Sequence, residues 1–326
     1  MTQPGAGSPP SGSGNSRLPR ILTVTTLAVL LIAALAGIDI LVLSRNNPAQ
    51  AFSPHYYMAL GDSLSFGYQP NLDFTSGFAD DIFNDLHKAN VTGIINYACA
   101  GETTTTMIQG GCVGRFAHHG SYTGAQLRAA VDFLKAAENY GHVSPITLEL
   151  GSNDVLPAWD PTTCSVRAGV NVDDLLATMD ANLTQTILPQ SVNALGARKT
   201  ANNGDLHLLN YYNPYAKVCP GSAPFVHELN DHLAADAAQF RIPVVDVYLA
   251  FGGDSETASH ICEFTWMCSS FHDVHPTNKG YAAIAQAVET ALALPGGNPL
   301  PGIAAPRGAV AAPLAELWRR PAALAA

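Results

Sequence analysis

The stretch Tyr56-Tyr57-Met58-Ala59-Leu60-Gly61-Asp62-Ser63-Leu64-Ser65 decides how this chain is read. Its first five residues are a short apolar run of the kind that fills a strand buried on both faces, and Gly61 and Asp62 are turn formers that end it. A serine follows the turn. In open parallel α/β sheets, ligands bind outside the carboxyl ends of the strands, so a hydroxyl directly after the first strand stands where chemistry collects.

Outward from that stretch, apolar runs recur at 93–98, 146–150, 206–211 and 243–247. Helical periodicity fills the intervals and the end, at 76–90, 123–140, 172–195, 225–240 and 277–294. The alternation predicts βαβ units around a five-stranded parallel sheet, a three-layer α/β/α sandwich forming one domain over 54–295. Of 326 residues, 47 % are hydrophobic, enough for a sizeable core. There are 16 basic against 26 acidic residues, a formal charge of −10, and no basic run lies outside the N-terminus. Nucleic acid is therefore not an expected partner.

The flanks read differently. Residues 1–20 are rich in Gly, Pro and Ser and carry Arg17 and Arg20, the composition of a disordered, cytoplasmic N-terminus. The apolar segment 21–44 is long enough to anchor in a membrane, while Gly37, Asp39 and the small-x-small pattern Ala49-Gln50-Ala51 fit a cleaved signal. Either way the rest of the chain is expected outside the cytoplasm, after a linker at 45–53. Residues 296–326 form a Pro- and Ala-rich tail.

Cys99, Cys112, Cys164, Cys219, Cys262 and Cys268 all follow the export segment, and none shows the paired spacing of a zinc site. Three disulfides are expected. Fifteen pairings are open on paper, and joining nearest neighbours closes three loop-like stretches rich in Gly, Pro, Ser or Thr.

A serine needs a base to become a nucleophile, and an imidazole can take the proton and return it. His275 is the candidate, in His272-Asp273-Val274-His275-Pro276-Thr277 immediately before the last helix, where Thr277 can cap.

These residues, with two further blocks, give a resemblance to the GDSL-type esterases and lipases, also called SGNH hydrolases. The blocks are Gly61-Asp62-Ser63-Leu64, Asn96-Tyr97-Ala98-Cys99-Ala100-Gly101, Gly151-Ser152-Asn153-Asp154 and His275-Pro276-Thr277 with Gly280-Tyr281, in order over nearly the whole domain. The resemblance implies the SGNH hydrolase fold, which is flavodoxin-like, and a serine hydrolase acting on carboxylic esters through an acyl-enzyme. It implies Ser63 as nucleophile, His275 as base, and an oxyanion hole from the backbone N–H of Ser63, the backbone N–H of Gly101 and the side chain of Asn153.

One position departs from the family. Its carboxylate often stands three residues before the histidine, where this chain has His272, with Asp273 two before. Either Asp273 or a backbone carbonyl is left to orient His275. Asp62, Asp154 and Asp246 are expected to shape loops. Phe66, Tyr68, Trp159 and Tyr212 are candidates to line an acyl pocket. His118, His119, His207, His227 and His232 do not fall into ligand spacing with a third group, so no metal and no cofactor is expected. The expected partner is a small-molecule or lipid ester, and a monomer is expected. An acyltransferase passing the acyl group to a sugar or alcohol, and a non-catalytic surface binding module, are the competing readings.

Overall fold

The computed structural model describes residues 55–88, 91–112, 120–136, 138–195, 205–254 and 259–292. The expectations for 1–54, for the tail from 293 onward, and for His118 and His119 lie outside the described residues. Among the described residues, no helix is long and apolar enough to cross a membrane.

In chain order the strands are β1 (Tyr56–Gly61), β2 (Gly93–Asn96), β3 (Val143–Glu149), β4 (Trp159–Asp160), β5 (Ser165–Val166), β6 (Leu206–Leu209) and β7 (Val244–Val245). Five of them form a parallel sheet in the order β2-β1-β3-β6-β7, while β4 and β5 make a small antiparallel ribbon. The expected α/β sandwich with a five-stranded parallel sheet is present, in the flavodoxin-like strand order. Tyr57, Met58, Ala59 and Leu60 are at most 1 % exposed, which explains why β1 is apolar without alternation: helices cover both of its faces.

The helices are α1 (Ser63–Phe66), α2 (Phe78–His87), α3 (Thr104–Gln109), α4 (Gln126–Lys135), α5 (Ser152–Val155), α6 (Val172–Asn182), α7 (Leu188–Leu195), α8 (Ala223–Gln239), α9 (Val247–Ala250), α10 (Ser259–Phe264) and α11 (Asn278–Ala291). Right-handed crossovers that leave β1 toward β2 and β3 toward β6 deposit their helices on opposite faces. Accordingly α2 packs with α11, and α4 packs with α7. The helix expected over 172–195 is two helices joined through a π turn at Leu183–Ile187.

Side chains, not propensity, set the element ends. β2 stops at Asn96 because the Asn96 side chain accepts from Ala98 N–H at 3.0 Å and donates to the Ser65 carbonyl at 2.8 Å. Beyond β6, Asn230 accepts from Tyr211 N–H at 2.9 Å, and beyond β7 the Asp246 carboxylate caps α9 through Leu249 N–H at 3.0 Å. The switch point lies between β1 and β3, where the connections leave in opposite directions. The turns after those two strands carry Ser63 and Asn153.

Candidate active site

β1 ends at Gly61 with φ +130°, a conformation L side chains rarely adopt. A Cβ there would meet the Glu149 carbonyl oxygen at 1.8 Å, so only glycine lets β1 and β3 close against each other before the turn. Gln126 clamps the peptides on both sides of Gly61 from α4: Gly61 N–H donates to its Oε1 at 2.7 Å, and its Nε2 donates to the Gly61 carbonyl at 2.9 Å. Asp62, fully buried, then caps α1 by accepting from Leu64 N–H at 2.9 Å. Ser63 is the first residue of that short helix and stays half-buried.

The partner for Ser63 arrives 212 residues later. His275 Nε2 lies 2.8 Å from Ser63 Oγ, and His275 Nδ1 lies 2.6 Å from Asp273 Oδ1. That oxygen also accepts from His275 N–H at 2.8 Å. The offset of two is bridged by His272, whose φ of 48° turns the chain just before Asp273. Burial opposes ionisation of Asp273, but the hydrogen bonds and charge of His275 outweigh it and hold the carboxyl below its ordinary value. A hydroxyl, an imidazole and a carboxylate in this sequence can move a proton off the serine and steady the resulting imidazolium.

The histidine loop is tied at several points. Trp266 N–H donates to the His275 carbonyl at 3.0 Å, and Thr277 N–H donates to the Phe264 carbonyl at 2.8 Å. The Tyr212 hydroxyl donates to the Val274 carbonyl at 2.6 Å, and Tyr68 packs on the imidazole with ring centres 4.6 Å apart. Thr277 caps α11 through Gly280 N–H. Cys262 and Cys268 are joined beside the loop, and the other disulfides are Cys99–Cys112 and Cys164–Cys219.

A model of the GDSL-like lipase/acylhydrolase family matches residues 57–288. The chain belongs to this family. A sequence search of curated proteins finds no match. Among solved structures, this GDSL-family hydrolase is similar to the lipase Lip_vut3 from a goat rumen metagenome, with 19 % identity, 73 % of this chain and 97 % of that one covered, and a TM-score of 0.46. It is also similar to the extracellular lipase of Streptomyces rimosus, with 19 % identity, 73 % and 99 % covered and TM-score 0.46. The acetylxylan esterase Axe2 of Geobacillus stearothermophilus is a third, with 14 % identity, 74 % and 94 % covered and TM-score 0.46.

Around Ser63 the GDSL hydrolase gathers the loops after β2 and β3. Gly101 sits at φ +84° in a loop fastened to β1 by Cys99 N–H donating to the Gly61 carbonyl at 3.1 Å. Asn153 Nδ2 donates to the Glu102 carbonyl at 3.0 Å and to Asp62 Oδ2 at 3.2 Å. Neither Ser63 N–H nor Gly101 N–H reaches an acceptor among the described residues. Asp154 accepts from the N–H and hydroxyl of Thr104 and so ties α5 to α3, while Asp246 accepts from Asn210 at 3.1 Å and caps α9. Both shape loops.

Two of the candidate pocket aromatics serve elsewhere. Trp159 is core, packed on Tyr215 and Phe225, because β4 turns it inward. Tyr212 is buried and braces the histidine loop from below. Phe66 is buried against Phe74, which leaves Tyr68 as the one of the four resting on the imidazole. His207, His227 and His232 occupy separate surroundings: His207 is buried in β6, His227 pairs with Asp254 and His232 pairs with Asp180. Cys99, Glu102 and Cys112 do come close together, but the two sulfurs are bonded to each other and cannot ligate.

Gln126 and Glu149 escaped the sequence reading, and Tyr212 entered it as a pocket residue rather than as a brace for the histidine loop. Gln126 and Tyr212 act across 65 and 62 residues, and no local pattern marks them. Glu149 did carry a signal, an acid inside the apolar run Thr147-Leu148-Glu149-Leu150.

Proposed function

We propose that this GDSL-family enzyme hydrolyses carboxylic esters through an acyl-enzyme built on Ser63. The observation that carries the reading is the unbroken hydrogen-bonded chain from Ser63 Oγ through His275 to Asp273, at 2.8 and 2.6 Å. His275 takes the hydroxyl proton as Ser63 attacks the ester carbonyl. The tetrahedral carbon then expels the alcohol, which receives that proton. Water, deprotonated by His275 in turn, attacks the acyl-serine and releases the acid. Asp273 is the third member, holding the imidazole tautomer and offsetting its charge.

The oxyanion is assigned to Ser63 N–H, Gly101 N–H and the Asn153 side chain, donors worth about 3 kcal/mol each where one has been removed from such a site. Both hydrogens of the Asn153 amide are engaged in this structure, so the oxyanion competes with Asp62 and the Glu102 carbonyl for one of them. We assign the catalytic domain to an oxidising compartment outside the cytoplasm, held by segment 21–44 or released after its cleavage. Three disulfides support that assignment.

The test is turnover of p-nitrophenyl esters of graded acyl length by the oxidised wild-type chain and by Ser63→Ala. The expected result is a loss of kcat on the order of 10⁴- to 10⁶-fold in the variant, and the length profile names the acyl class. Equal turnover by both proteins would refute the assignment of Ser63.

A further inference from the structure

Beneath the nucleophile turn lies a carboxyl group that the ester chemistry does not use. Glu149 closes β3 and is 1 % exposed, and neither of its side-chain oxygens accepts a hydrogen bond from a donor among the described residues. Its main chain is fastened to the turn: Asp62 N–H donates to the Glu149 carbonyl at 3.1 Å. The groups acting on the carboxyl are the Asp62 carboxylate, the Tyr211 hydroxyl and the backbone at Ser65, with the phenols of Tyr212 and Tyr281 near enough to couple to it. None of them is a cation.

Two ionised carboxylates side by side in a buried site repel, and neither can donate to the other. One proton converts the same pair into an O–H···O⁻ hydrogen bond, a strong class of contact. Asp62 is the member supplied with donors. Its oxygens accept from Leu64 N–H at 2.9 Å, Ser152 Oγ at 2.7 Å, Asn153 Nδ2 at 3.2 Å and the Tyr211 hydroxyl at 3.2 Å. Glu149 has no comparable set. Burial first, and the Asp62 charge second, push its carboxyl well above the ordinary carboxylate range.

We propose that Glu149 is a positioning residue: it stays protonated, donates its hydrogen to Asp62, and so fixes the turn that carries Ser63 and the amide of Asn153. Asp62 transmits the effect in two directions. One of its oxygens caps the helix that begins at Ser63, and the other receives the Asn153 amide. The consequence is a pH limb. When alkali removes the Glu149 proton, the two carboxylates repel, Asp62 leaves its place, and kcat falls while substrate binding is little changed.

This inference rests on Ser63 being the nucleophile, and one of its readouts is independent of turnover. Infrared spectra of the full-length oxidised protein and of Glu149→Gln at neutral pH are compared in the carbonyl region. Steady-state kinetics of wild type, Glu149→Gln and Glu149→Leu follow across pH. The expected difference spectrum contains a protonated-carboxyl band lost in Glu149→Gln. That variant, an uncharged donor of the same shape, keeps kcat within about threefold at neutral pH and lacks the alkaline fall, whereas Glu149→Leu loses about tenfold or more in kcat at nearly constant KM.

No carboxyl band in the difference spectrum would mean that Glu149 is ionised, and the proposal fails. Equal damage from Gln and Leu, full activity in Leu, or an unchanged alkaline limb in Gln would each overturn it too. Should the Leu variant not fold, the spectrum and the Gln profile decide. Failure of the ester reading itself shows separately, as turnover surviving in Ser63→Ala.

Discussion

The two halves of the site are held in opposite ways. Ser63 stands on a turn embedded in the core, where Asp62 and Ser65 are fully buried, Gly61 leaves no room for a methyl group, and Gln126 grips the main chain on both sides. His275 stands on a loop near solvent, with 18 % of its side chain and 25 % of that of Asp273 exposed, and Phe271 nearby 48 % exposed. Discrete ties, namely a disulfide, one tyrosine hydroxyl and a few backbone pairs, hold it. A half placed by packing fails by unfolding. A half placed by ties fails by misalignment.

Electrostatics divides the halves in the same way, with opposite sign. Asp273 is held below its ordinary value, so its stabilisation is present above the unfolded carboxylate pKa of 3.8 and is lost as pH falls through the lower native value. Glu149 is held above its ordinary value of 4.5, so the stability linked to its proton is full below that value and declines as pH rises toward the native one. Falling pH loosens the His275 half, and rising pH loosens the Ser63 half.

Three substitutions would break or sharpen this contrast. The largest effect is expected from Gly61→Ala, whose Cβ has no space beside the Glu149 carbonyl. It should lose more than about 4 kcal/mol in denaturant unfolding, and a cooperative wild-type transition would contradict embedding by the core. Next comes Asp273→Asn, which should lower kcat by about 10²- to 10⁴-fold. Its neutral-pH melting temperature should fall toward the value the wild type shows in acid, and its acid loss of stability should flatten, so a wild-type acid limb would show that Asp273 is not the group responsible. The smallest is Tyr212→Phe, which removes one hydrogen bond to the Val274 carbonyl. About 1 kcal/mol of stability and a severalfold fall in kcat are expected, and unchanged kinetics would mean that the other ties suffice.

Much of this arrangement was legible in the chain. The strands were visible because doubly covered strands are apolar without interruption, and the strand-end rule then pointed to Ser63, while Gly101 and Asn153 came from the resemblance to the GDSL family. Element ends were less legible, since Asn96, Asn230 and Asp246 terminate elements through side-chain bonds that no periodicity encodes. The choice between Asp273 and a backbone carbonyl hung on one loop conformation, the left-handed turn at His272, which an ordinary histidine codon does not announce. Trp159 looked like a pocket residue because it follows the Gly151 block, but a two-stranded ribbon points it at Tyr215 and Phe225.

The span between Ser63 and His275 has a consequence for how the enzyme is made. All five strands of the main sheet are present once the chain reaches Val245, yet His275 lies about 30 residues further on, in a loop that must come back to Ser63 at the end of the first strand. On the proposed chemistry, a nascent chain carries its serine for most of synthesis with nothing to deprotonate it. The esters of the producing cell meet an inert polypeptide, and hydrolytic power arrives with the last helix.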